Sequence, residues 1–266
     1  MIEALSYEFM QNALLAGLLV SFIAGIMGSL IVVNRMVFLA GGIAHAAYGG
    51  IGIALFTGIP IFLGTSIFAV IAAIFMAMVT LKQKENSDIF IGLIWAVGMA
   101  LGIIFVDLTP GYNVDLMSYL FGSILAVSRD DIFFMVALLC TVLLVLFFWY
   151  RELLAISYDS EYAALSGINV KFFYTLLLIL SALTVVIAIK VVGLILVIAL
   201  LTIPIYIAQN LTNSLLSMMF TSGTIASIFT LVGLLFSYTY DLTSGACIIL
   251  VAGLSLLLFM GVKALR

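Results

Sequence analysis

The chain has 266 residues, of which 66% are hydrophobic and 8% charged, with a net charge of −3. A soluble domain carries roughly 25% charged residues, so this chain cannot cover a water-facing surface; its mean hydropathy of +1.42 places it in a bilayer. The apolar runs are helix-length and do not alternate, which argues against a β-barrel, and the scattered basic residues leave no footprint for nucleic acid.

A span needs about 20 mostly apolar residues. In chain order, spanning helices are predicted near residues 10–33, 36–57, 61–81, 89–106, 132–150, 172–189, 191–209, 215–238 and 243–262. The stretch 116–127 is too brief to cross and reads as a re-entrant or tilted half-helix, tolerable at that depth only where protein or a cavity covers it. The expectation is one all-α polytopic transmembrane domain over residues 1–266, with no second domain, linker or repeat. Glu3 and Glu8 stand where a secretory signal carries basic residues, so no such signal is expected.

The second predicted helix holds the single histidine, in GGIAHAAYGG. Gly42, Ala46, Gly50 and Ala54 fall four apart, a small-residue stripe that lets another helix approach closely. Gly41, His45 and Gly49 share a face, so His45 projects into protein or a cavity. An ionisable residue at membrane depth is a functional candidate. The plainer alternative is a histidine hydrogen-bonded across the bundle. One imidazole alone cannot hold a divalent ion, since such sites take several ligands.

The charges give an orientation. With the loop at 82–88 in the cytoplasm, Arg35, Lys82, Lys84, Arg151, Lys171, Lys263 and Arg266 fall inside, and only Arg129 and Lys190 outside. This predicts nine spans, an external N-terminus and an internal C-terminus. Glu3, Glu8, Asp107, Asp115, Asp130, Asp131 and Asp241 then face outward, an acidic mouth that concentrates cations if the acids converge and merely wets the rim if they do not. Asp241 is expected to open the last helix, where an acid complements the helix dipole.

After the fifth long span, Asp159 and Glu161 open a polar insert. Ala163, Ala164 and Leu165 form a helical turn there, and Gly167 ends it. Residues 157–168 read as a short cytoplasmic helix, either a plain connection or a docking element for a soluble partner. The chain has no G-x-x-x-x-G-K-[ST] loop and no H-E-x-x-H pair. Cys140 and Cys247 lie in apolar runs and form no disulfide framework. The twelve methionines are spread through the spans as packing groups.

Five segments together resemble the permeases of ATP-binding-cassette importers for zinc, manganese or iron. They are NRMVFLAGGIAHAAYGGIGIAL (34–55), DLMSYLFGSILAVSRDDI (115–132), YDSEYAALSGINV (158–170), VVGLILVIALLTIPIYIA (191–208) and YDLTSGACIILVAG (240–253). They keep the family's order over nearly the whole chain. The resemblance implies a homodimeric permease of the cytoplasmic (inner) membrane. It implies His45 in the metal path, and a cytoplasmic helix at about 159–167 seated on a separate ATPase subunit that binds the ATP. An extracytoplasmic metal-binding protein would deliver the ion to the outer face, where Asp107, Asp115 and Asp241 are candidates for capture. The chain would hold no tightly bound cofactor, and the divalent metal would be its cargo. Gly41 stands where many members have an aspartate four residues before the histidine. The remaining ligands would be carbonyls near Pro204, water, or His45 of the second copy. Thr243 replaces the proline usual in the last-helix motif. Rival readings are a permease for a metal chelate such as haem or a siderophore, a carrier driven by an ion gradient, and an intramembrane enzyme. The last two need further ionisable groups at mid-span.

Overall fold

The computed structural model describes residues 6–82, 87–110 and 116–265. Among them every regular element is helical. Eight helices are long and apolar enough to cross a membrane. These are α1 (Glu8–Val33), α2 (Val37–Thr57), α3 (Ile61–Lys82), α4 (Ser87–Asp107), α6 (Arg129–Tyr158), α8 (Val170–Val192), α11 (Leu215–Tyr240) and α12 (Ser244–Ala264). Short helices lie between them: α5 (Leu116–Phe121), α7 (Ser160–Leu165), α9 (Val197–Leu200) and α10 (Ile203–Leu211), with a 3-10 turn at Ile124–Ala126.

The chain clusters into two compact units. The first contains α1, α5, the first half of α6, the end of α8, and α9 to α12. Its spine is the pair α1 and α11. Gly25 packs against the backbone of Gly223, with no room for a side chain, which is how small residues let membrane helices touch. Buried hydroxyls line the same seam. Ser21 and Thr230 share a hydrogen bond of 2.9 Å, and the Ser222 hydroxyl donates to the Gly25 carbonyl at 3.0 Å. No hydroxyl on this seam is left unsatisfied at a depth where that would be costly.

The predicted helix at 191–209 is not one helix. α8 ends at Val192, Gly193 takes φ +84°, and the chain resumes as α9 and then α10, with Pro204 in the first turn of α10. A left-handed glycine and an N-terminal proline are the two devices that break a helix without leaving costly orphans. The half-helix at 116–127 is broken too, into α5 and the 3-10 turn, at Gly122 with φ +74°. The two breaks meet. The Leu194 and Ile195 N–H groups donate to the Tyr119 and Leu120 carbonyls at 3.1 and 3.2 Å, and the Ser123 N–H to the Lys190 carbonyl at 3.2 Å. The freed backbone groups therefore satisfy one another. Gly245 of α12 packs on the Phe121 and Val192 carbonyls.

The broken segment still traverses unit one. Residues 17, 21, 25 and 29 of α1 face residues 230, 230, 223 and 222 of α11, so the two helices run antiparallel. The end of α8 is tied by Lys190 to Asp131 at 3.3 Å, and α6 begins beside the start of α1 through Arg129 and Glu8 at 2.7 Å. The chain thus leaves α8 at the level of α1's beginning and enters α11 at the level of α1's end. Lys263, at the end of α12, bonds Asn210 at the end of α10. The start of α1 and the end of α12 lie at opposite ends of the unit.

The second unit contains α2, α3, α4, the second half of α6, α7 and most of α8. Its core helix is α2, with 78% of its span buried against 17% for α4. α6 does not stop at Tyr150 as expected. Trp149 leaves helical geometry (φ −127°, ψ 24°) and the helix continues to Tyr158, held by Leu153 and Ile156, both buried.

Candidate functional site

Glycine and alanine make α2 what it is. Gly98 of α4 packs on the backbone of Ala46, and Gly49 on the Gly98 carbonyl; further along, Gly52 meets the Gly102 backbone. On the α3 side, Gly50 packs on Thr65 and Gly64, and Ala54 on Gly64. The predicted stripe Gly42, Ala46, Gly50, Ala54 is therefore shared between two neighbours. Gly42 faces Ile91 of α4, whereas Gly50 and Ala54 face α3. Residues four apart drift about 40° per step on a 3.6-residue helix, so one stripe wraps from α4 to α3.

His45 sits between these contacts. Its imidazole lies parallel to the indole of Trp95, with ring centroids 3.9 Å apart and planes 6° apart. Its Nδ1 is buried and has no hydrogen-bond partner among the described residues. Gly41, one turn earlier, is buried. A metal-binding imidazole is ordinarily oriented by a hydrogen bond from its second nitrogen to a carboxylate or carbonyl. Here a ring face lies against a ring face instead. Among the described residues no group of three His, Cys, Asp or Glu side chains could hold a metal ion.

The acidic candidates differ in their local roles. Asp107 is exposed at the end of α4. Asp115 lies outside the described residues. Asp241 is exposed, but it does not open α12. It closes α11 in the left-handed conformation (φ 53°, ψ 45°), and its N–H donates to the Ser237 carbonyl. α12 starts at Ser244, after Thr243. Aspartate tolerates the left-handed region better than most residues, and that preference overrides the helix-start role expected from charge. Asp131 has a different task. With Ser128 it forms a reciprocal cap on α6, the Ser128 hydroxyl donating to its carboxylate at 2.8 Å and its own N–H donating to the Ser128 hydroxyl at 3.2 Å.

The insert after α6 forms the helix α7. The Asp159 carboxylate accepts from the Glu161 and Tyr162 N–H groups at 2.9 and 3.0 Å. At the other end Gly167 has φ +84°, its N–H donating to the Ala164 carbonyl and that of Ile168 to Ala163, both at 3.1 Å. This double closure is the Schellman motif. Ala163 is fully buried, while Tyr162 and Leu165 are 66% and 88% exposed, next to Tyr158 at the end of α6, 81% exposed. The Asn34 amide, in the turn between α1 and α2, donates to the Ser157 hydroxyl at 2.8 Å, placing Arg35's turn beside the entry to α7.

Trp95 and the junction of Gly122, Gly193 and Gly245 do not emerge from the sequence reading. Gly98 and Gly102, four apart, repeat on α4 the small-residue spacing seen on α2, and that signal points to the α2–α4 pairing that brings Trp95 to His45.

A model of the ABC 3 transport family matches residues 6–263. An uncharacterised membrane protein of Synechocystis sp. is 46% identical over 263 residues, 99% of this chain and 94% of its own length. The manganese transport system membrane protein MntC of Halalkalibacterium halodurans is 37% identical over 250 residues, 94% of this chain and 86% of its own. Among solved structures, a chain of PsaBC from Streptococcus pneumoniae in complex with Fab superposes with a TM-score of 0.87 at 32% identity, over 97% of this chain and 93% of that one.

Proposed function

This chain belongs to the ABC 3 transport family, and we propose that within it the chain is the permease of an ATP-driven importer of a divalent transition metal. Manganese is the first candidate, ahead of zinc and iron. The observation that carries the reading is His45: an imidazole on a close-packed glycine and alanine helix, with its Nδ1 buried and lacking a hydrogen-bond partner among the described residues. Imidazole nitrogen suits these first-row metals. Manganese leads because the Halalkalibacterium halodurans relative is named for it. One imidazole supplies one ligand, and a cargo must bind weakly enough to leave. Water or His45 of a second copy completes the passing ion's shell. Asp107, Asp115 and Asp241 attract the cation at the outer face, where an extracytoplasmic binding protein delivers it.

The remaining parts follow from the same reading. Two copies form the path in the inner membrane. The capped helix α7, displaying Tyr162 and Leu165, seats on a separate ATPase subunit; the buried Ala163 sets its seating, and Asp159, Glu161, Ala164 and Gly167 shape the contact. Closure of the ATPase pair then moves the two copies between outward-open and inward-open states.

The test is ATP-dependent uptake in proteoliposomes, with this chain, its ATPase and its binding protein, against manganese, zinc and iron(II). Wild type should accumulate one metal and His45→Ala should slow that uptake with the assembly intact. Uptake of no bare ion, from an assembly that still hydrolyses ATP, moves the substrate to a metal chelate.

A further inference from the structure

We propose that Trp95 is the positioning residue of the metal path. It holds the imidazole of His45 in the plane from which a nitrogen can meet a passing cation. The inference rests on His45 lying in the path, as proposed above.

The argument begins with what an isolated imidazole lacks. A histidine side chain turns about two bonds, and its nitrogen lone pairs point only in the ring plane. A site that uses one must therefore fix that plane. The usual device is a hydrogen bond to the far nitrogen, and removing such a partner costs about 10–100-fold in metal affinity. In this chain Gly41 occupies the preceding turn on the same face, and it offers no side chain. Nδ1 has no hydrogen-bond partner among the described residues. What touches the ring is the indole, parallel within 6° and at 3.9 Å. That arrangement blocks rotation of the imidazole out of the shared plane and leaves both nitrogen edges free of the indole. The aromatic face also favours a ring that becomes more positive when it meets a cation or proton, since the indole face is electron-rich.

Trp95 is itself held. One turn further along α4, Gly98 packs on the backbone of Ala46, the residue after His45. The close approach of α2 and α4 sets the depth and distance at which the two rings meet. A side chain at residue 98 would separate the helices and undo the stack. The glycines and the indole thus act on one coordinate, the orientation of the His45 ring.

The experiment compares Trp95→Phe, which keeps an aromatic face, with Trp95→Leu, which keeps apolar bulk without one. Initial rates of manganese uptake are measured in the proteoliposome assembly over a range of manganese concentrations, with His45→Ala run in parallel. The proposal expects Trp95→Phe to stay near wild type, and Trp95→Leu to lose about tenfold in kcat/KM, the low end of what an orienting partner supplies. Equal uptake by the Phe and Leu variants, with His45→Ala defective, overturns the positioning role and leaves the path intact. Wild-type uptake by His45→Ala overturns the path reading and this proposal with it. A second readout needs no transport. The chain has two tryptophans, so Trp149→Phe leaves Trp95 as the only indole in it. In that background, purified without its partners, His45→Ala should change the emission intensity of Trp95, because a ring at 3.9 Å is removed. Unchanged emission means the rings do not stack, and the proposal falls even if His45 is needed for uptake.

Discussion

At the scale of single residues, the α2 glycines differ in what they tolerate. A Cβ on Gly50 would lie 2.7 Å from the Thr65 Cα and 2.8 Å from the Gly64 carbonyl oxygen. Both are backbone atoms and cannot step aside as a flexible side chain can. Gly50→Leu should therefore force α2 and α3 apart, at a cost of at least the about 1–3 kcal/mol typical of overpacking. Gly92 on α4 has nothing within 4 Å of its Cβ position, so Gly92→Leu is the control. Thermal unfolding in detergent should show a lower midpoint for Gly50→Leu and little change for Gly92→Leu; equal midpoints would refute the packing argument. His45 was legible in the sequence because it is the only histidine, and the stripe because its spacing is local. Trp95 was not, because its meaning depends on a contact between helices that are far apart in the chain. The spacing of Gly98 and Gly102 signals a close helix partner for α4 but does not name the ring that Trp95 will face.

At the scale of an element, α7 carries its own stop signals, and the sequence states them openly. Asp159 caps one end through two N–H groups, and Gly167 closes the other in a conformation that glycine adopts freely. Substituting within such a helix separates folding from docking. Ala164 is exposed on α7, and arginine is nearly as good a helix former as alanine. Ala164→Arg should leave the helix formed and present a bulky charge at the proposed ATPase contact. ATP hydrolysis should continue while metal uptake fails. Uptake in normal proportion to hydrolysis would show that α7 does not transmit the stroke. Other boundaries were less legible. The polar pair Arg151 and Glu152 reads as the end of a span, yet α6 runs on past its kink at Trp149 to Tyr158. Tertiary burial of Leu153 and Ile156 outweighs the local polarity. Asp241 shows the same limit: its charge suits a helix start, its backbone tolerance suits a helix end, and only the fold decides between them.

At the scale of the whole molecule, the question is how many times the chain crosses. Counting long helices gives eight and would put the start of α1 and the end of α12 on one face. Hydropathy alone gave nine by reading 191–209 as a continuous helix. The packing of α1 against α11 resolves the matter within unit one: α9 and α10, with 4 and 9 residues, would span only about 20 Å as regular helix at about 1.5 Å per residue. Turn residues at the two breaks, 194–196 before α9 and 201–202 before α10, lengthen that path toward a hydrocarbon core about 30 Å thick. We predict that an interrupted crossing keeps the start of α1 and the end of α12 on opposite faces, with the seven-to-two bias of basic residues setting the end of α12 in the cytoplasm. The prediction can be checked by labelling. With Cys140 and Cys247 replaced by alanine, Tyr7→Cys and Leu265→Cys place single thiols at two exposed positions near the ends of unit one. In intact spheroplasts a membrane-impermeant maleimide should label residue 7 at once and residue 265 only after permeabilisation. Labelling of both before permeabilisation would mean that α9 and α10 turn back instead of crossing. The reverse pattern would keep the crossing and invert the sidedness, placing α7 outside and removing it from contact with any cytoplasmic ATPase.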